Sequence, residues 1–210
     1  MRKWLFEEAK NPTIVTKIID LIGLNLIFIV SCIPILTIGA SLTSLYSVTL
    51  KMVDPDKDYF LVKDFIGSFK KNFIQSTMAM GIVLLKVAIL VGIIFLINHA
   101  ADGEPSLAIT APFLVLITII GLITLYLFPL LAYFDNTIAH LLKNALIISF
   151  HQMAKSIVLF MIALIIIIII PLFVPQVWFV WLLIAFSLTA YLQSLILRKI
   201  FESYTEKNKK

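Results

Sequence analysis

Charge is scarce in this chain. Asp, Glu, Lys and Arg make up 14% of its 210 residues, against about 25% in soluble globular domains. Apolar residues fill 61% and mean hydropathy is +1.05, which excludes an ordinary soluble domain and points to a polytopic membrane protein. Cysteine is almost missing. Cys32 stands alone, so an intramolecular disulfide and a multi-cysteine metal site are both excluded, and it reads as a small packing residue. Acidic side chains are lacking from the middle of every apolar run, Asp20 and Asp135 lying near run ends. A proton- or cation-coupled carrier needs a buried carboxylate relay, so that class is disfavoured. None of the seven glycines falls in a Gly-x-x-x-x-Gly-Lys phosphate loop, and Gly-x-Ser-x-Gly is absent. His99, His140 and His151 are scattered, without a His-Glu-x-x-His zinc pair. We therefore expect no enzyme, no cofactor and no metal.

What the chain has in abundance is apolar sequence. Residues 77–98, 108–133, 157–174 and 177–197 each suit a crossing of about 20 residues. Earlier, 18–33 is apolar but short, and 40–53 continues after an interruption between Pro34 and Gly39. Asn11 and Pro12 offer a cap and a first-turn proline to open the first helix. Arg2 and Lys3 are followed by Glu7 and Glu8, with no small-residue cleavage site beyond, so the first run is expected as a retained span rather than a signal peptide.

The Lys and Arg residues set the sides. Arg2, Lys3, Lys10 and Lys17 precede or enter the first run, and Lys51, Lys57, Lys63, Lys70 and Lys71 lie within 51–76. Lys143 and Lys155 lie in 134–155, and Arg198, Lys199, Lys207, Lys209 and Lys210 close the chain, while 99–107 and 171–176 carry neither Lys nor Arg. Both termini, 51–76 and 134–155 are thus expected in the cytoplasm, with 99–107 and 171–176 outside. Topology accounts for the net charge of +5, and no nucleic-acid partner is expected. A single crossing over 18–50 would strand five lysines outside, so a hairpin folded at the interruption is expected. The expected fold is all-α: one domain, 1–210, forming a transmembrane bundle of six membrane-embedded helices. Its first two helices form a short pair, crossing or re-entrant, and amphipathic cytoplasmic helices join the later spans.

Lipid offers backbone groups no partners, so a broken span marks a turn or a lined cavity. That makes Asn25, Pro34, Thr37 and Gly39 candidates for a polar path. Lys86 joins them, because a charge in the middle of 77–98 costs about 2.5–3.5 kcal/mol on insertion scales. Two readings of Lys86 compete: a ligand in a polar cavity near Asn25, Tyr126 or Tyr191, or a side chain snorkelling toward the cytoplasmic interface. Gly39, Ala40, Thr43, Ser44 and Ser47 form a small face suited to close helix packing.

Phe65, Phe69 and Phe73 recur every four residues, an aromatic stripe that could lie in the headgroup region or pack on the protein. Trp178 and Trp181 read as interfacial anchors. Six isoleucines at 165–170 read as a broad lipid contact. A second amphipathic segment near Ser149 and Phe150 leads through Lys155 into the next run, so 60–133 and 141–200 form a weak tandem repeat of a kind common in transporters.

Asn25, the run from Cys32 through Pro34, Thr37 and Gly39 to Ser41, and Leu45-Tyr46 together resemble the opening motif of the YesL-like family of bacterial membrane proteins. Phe65 with Phe69-Lys70-Lys71-Asn72-Phe73 resembles that family's next block. Length and order of spans agree over the whole chain, but the specific likeness lies in the first 75 residues. The resemblance implies a domain of unknown function in the bacterial plasma membrane, from a genomic neighbourhood of carbohydrate uptake and polysaccharide degradation. The expected role is a non-enzymatic accessory or regulatory component that contacts an ABC-type sugar permease or a membrane sensor. The alternative is a small transporter or channel with a polar path near Lys86 and the interruption. A lipid- or glycan-modifying enzyme ranks third.

Overall fold

The computed structural model describes residues 14–100, 107–174, 176 and 178–207. The Asn11–Pro12 helix start and most of the 99–107 connection lie outside them. Among the described residues every regular element is helical, and six helices are long and apolar enough to cross a membrane. In chain order these elements are α1 (Ile14–Ser31), a 3-10 turn (Ile35–Thr37), α2 (Ile38–Met52), α3 (Leu61–Ala100) and α4 (Leu107–Tyr133). There follow α5 (Ile138–His151), α6 (Met153–Leu164), a π-helical segment (Ile165–Ile169), α7 (Ile170–Phe173) and α8 (Trp178–Lys207).

The interruption is a turn. Proline disfavours helical backbone in the residue before it, and α1 ends at Ser31, three residues ahead of Pro34. The Thr37 hydroxyl lies within hydrogen-bonding reach of the carbonyls of Ser31 and Pro34, and its N–H donates to Pro34 at 2.9 Å. These bonds supply partners that lipid could not.

Neighbour pairs give the directions. Leu21 meets Ser187 and Asn25 meets Leu182, so α1 runs against α8. Tyr46, Thr49 and Val53 meet Gln193, Ser194 and Arg198, so α2 runs with α8. Helices α1 and α2 are therefore an antiparallel hairpin. The 15 residues of α2 rise about 22 Å, short of a hydrocarbon core of about 30 Å.

Helix α2 is the centre of the bundle, touching α1, α3, α4 and α8. The core of which α2 is part takes in Leu24 and Phe28 of α1, Leu127 and Leu131 of α4, and Leu197 and Phe201 of α8, and extends to Leu141 and Ile148 of α5. The cytoplasmic amphipathic segment expected over 60–75 is not a separate helix. No proline intervenes before the apolar run, and the helix continues unbroken for 40 residues as α3, about 60 Å. In the second half the corresponding stretch does break: Gln152 leaves helical geometry between α5 and α6. There the Ser156 hydroxyl lies 2.9 Å and 3.0 Å from the carbonyls of Ser149 and Gln152, and 2.8 Å from the Tyr126 hydroxyl. The two parts of the expected repeat thus differ in backbone.

Candidate functional site

The interior is held by a seam of small and polar side chains rather than by leucines alone. Asn25, completely buried on α1, donates from Nδ2 to the Leu182 carbonyl at 2.8 Å and accepts from the Ser187 N–H at 3.0 Å. Ser187 answers by donating its hydroxyl to the Leu21 carbonyl at 2.7 Å. Each helix therefore binds the other's backbone through one side chain. Gln193 of α8 accepts from the Tyr46 hydroxyl of α2 and donates to the Leu159 carbonyl of α6 at 2.9 Å, so one amide joins three helices. Thr49 pairs with Ser194 at 2.8 Å, and Thr43 with Ser76 at 2.8 Å, tying α2 to α8 and α3. Ser41 and Ser44 donate back to the carbonyls four residues earlier in the chain, those of Thr37 and Ala40, which lets a hydroxyl be buried without an external partner.

Gly39 makes the seam possible. A Cβ there would lie 2.4 Å from the Ser76 carbonyl oxygen and 2.9 Å from the Met80 Cβ. Thr77 seals the same contact, donating to the Leu36 carbonyl at 3.2 Å. On α3 the buried positions are Leu61, Phe65, Ser68, Asn72, Ser76 and Ala79, spaced three or four apart as one helical face.

That face divides the phenylalanine stripe between its two readings. Phe65 is only 2% exposed and lies in the core, where headgroups cannot reach it, whereas Phe69 is half-buried and Phe73 exposed. A four-residue repeat drifts by about 40° per step around a helix of 3.6 residues per turn, so the stripe passes from the buried face at Phe65 toward the outer surface at Phe73. The isoleucine run is likewise divided: Ile166 is buried and Ile165 and Ile168 are exposed. The Trp181 indole N–H donates to the Ile166 carbonyl at 2.7 Å, inside the π-helical segment, and Trp178 donates to the Pro171 carbonyl at 3.2 Å. π-Helical geometry and a proline both disturb the α-helical ladder, so the two tryptophans supply partners to a weakened backbone.

Charges gather at one end. Arg198 holds the 53–60 connection through the Val53 carbonyl at 3.0 Å and Asp54 at 3.3 Å, and pairs with Glu202 at 2.6 Å. Lys51 pairs with Asp64 at 2.9 Å, and Lys71 with Asp135 at 2.6 Å. Tyr59 donates to Asp20 at 2.7 Å, and burial together with that carboxylate holds its phenol well above the ordinary value.

Lys86 is apart from the seam. It is exposed on α3 and lines a groove of about 250 Å³ with Lys143 of α5 and side chains of α3, α4 and α5. No residue of the α1–α2 hairpin lines that groove, so Lys86 and the residues from Pro34 to Gly39 do not share it. The sequence singles out Asn25, Thr37 and Gly39, but not Ser187 and Ser76, which meet Asn25 and Gly39, nor Gln193 and Ser194, which bind Tyr46 and Thr49. Those four carry no composition signal: Ser187, Gln193 and Ser194 are polar residues inside an apolar run, and Ser76 stands just before one.

Residues 21–98 match a family described as "Protein of unknown function, DUF624". No curated protein and no solved structure matches the chain.

Proposed function

We propose that this protein is a non-enzymatic accessory or regulatory component of the bacterial plasma membrane, working by contact with another membrane protein. The observation that supports this reading is the closed seam. Asn25, Thr43, Ser76, Ser187 and Ser194 are fully buried and bonded to one another's helices. A solute path through the bundle would need such groups open to water, and here they act as interhelical ties. The surface, by contrast, is broadly apolar along α3, where Leu85, Ile89, Phe95 and Leu96 are all exposed, an area suited to lipid or to the flank of a partner span. The charged end, with both termini and the 51–76 and 134–155 segments, is assigned to the cytoplasm by its lysines. The short hairpin is then a re-entrant pair whose tip, the exposed Ile33, Ile35 and Leu36, remains in the bilayer. The partner we favour is an ABC-type sugar permease or a membrane sensor, a choice that rests on the family resemblance alone.

The test pairs two measurements. A photocrosslinker at Phe95 in native membranes should capture one solute permease or sensor, and purified protein in liposomes should pass no sugar above empty vesicles. Sugar flux from the purified protein would overturn this reading in favour of the small transporter or channel.

A further inference from the structure

We infer that the groove between α3, α4 and α5 is a binding site for an anionic phospholipid, with the lipid phosphate between Lys86 and Lys143. Both lysines line the groove, and its other walls are Ile82, Val83, Ile120, Ile123, Leu142 and Leu146. Two ammonium groups thus share one recess with no carboxylate lining it. Among the described residues neither lysine forms an ion pair or a hydrogen bond. Like charges in a partly apolar recess repel, and a single anion placed between them relieves both. Nearby acids do not serve, since Asp135 is paired with Lys71 and Asp64 with Lys51.

The occupant follows from the walls. A water-soluble phosphate gains nothing from six aliphatic side chains, whereas a phospholipid brings acyl chains for them. On the helices that wall the groove, Ile89 of α3 and Ile147 of α5 are exposed, the kind of surface that faces lipid. Both lysines are exposed and border the one groove, so an anionic headgroup at its mouth meets the two ammonium groups while acyl chains lie on the aliphatic walls, and anionic membrane lipid supplies the charge.

The full-length protein in neutral detergent would be titrated with short-chain phosphatidylglycerol, with binding read by native mass spectrometry. Lys86→Gln and Lys143→Gln should each weaken binding about fivefold, and the double variant about 25-fold, as one lysine near an anionic lipid surface is worth. Lys70→Gln, an exposed lysine elsewhere on α3, should leave it unchanged. Lys86→Arg should retain binding, which separates loss of charge from loss of fold. Phosphatidylcholine and chain-free glycerol phosphate should bind at least tenfold more weakly (~10-fold being 1.4 kcal/mol). Equal losses at Lys70, an unaffected double variant, or glycerol phosphate binding as tightly as the lipid would each overturn the assignment.

Discussion

Of the six membrane-length helices, α2 is the least apolar, yet 61% of its window is buried. The corresponding window of α3 is among the most apolar and is 0% buried. In water the order would be reversed, because burial there follows hydrophobicity. Lipid is as apolar as leucine, so nothing drives Leu85 or Ile89 inward. Association rests instead on close packing and interhelical hydrogen bonds, which favour Gly, Ala, Ser and Thr inside. Helix α2 carries Gly39, Ala40, Ser41, Thr43 and Ser44 in its first two turns, and it is the helix the others surround.

The contrast can be broken from either side. The largest effect is expected at Gly39. Valine there would force α2 away from the Ser76 carbonyl and part the Thr43–Ser76 bond, costing about 3 kcal/mol or more, the upper range for overpacking. Folded yield and Tm in detergent should both fall sharply, and an unchanged Tm would mean that the two backbones are not in contact. Next comes Gln193→Leu, which strands the Tyr46 hydroxyl and the Leu159 carbonyl. Bonds of this kind in a membrane interior are worth about 0.6–2 kcal/mol each, so a loss of about 1–2 kcal/mol is expected. Thermal unfolding beside a Tyr46→Phe, Gln193→Leu double variant would check the coupling: additive losses would show that the two side chains do not act together. The smallest effect is expected on the outer face, where Ile89→Val should change stability by less than about 0.5 kcal/mol. A larger loss, growing with protein concentration, would reveal that this face is covered by a second copy.

The phenylalanine stripe shows where the sequence left two readings open. Three aromatics at four-residue spacing were the loudest signal in 60–76, yet the buried face runs through Ser68, Asn72 and Ser76 beside Phe65. Ring size advertises burial in soluble proteins. In a membrane bundle the quieter residues mark the inside. Asn25 was easier to find, as an amide alone in an apolar run, but its two backbone partners lie 157 and 162 residues away in sequence. No local pattern could name them.

What the sequence determined by itself was the number of membrane-length helices, the turn at Pro34 and the clustering of charge toward alternate connections. Each depends on quantities that act locally: the apolar length of a segment, the fixed φ of a proline, the cost of carrying a lysine into lipid. Only the tertiary structure decided which face of each helix turns inward, that α3 runs on from Leu61 to Ala100, and that Lys86 shares a groove with Lys143 while Gly39 meets Ser76. The physical reason is that lipid and protein interior are nearly equal solvents for an apolar side chain. Hydropathy therefore fixes that a helix enters the membrane, while the fit of two particular backbones and the pairing of distant amides and hydroxyls choose its neighbours.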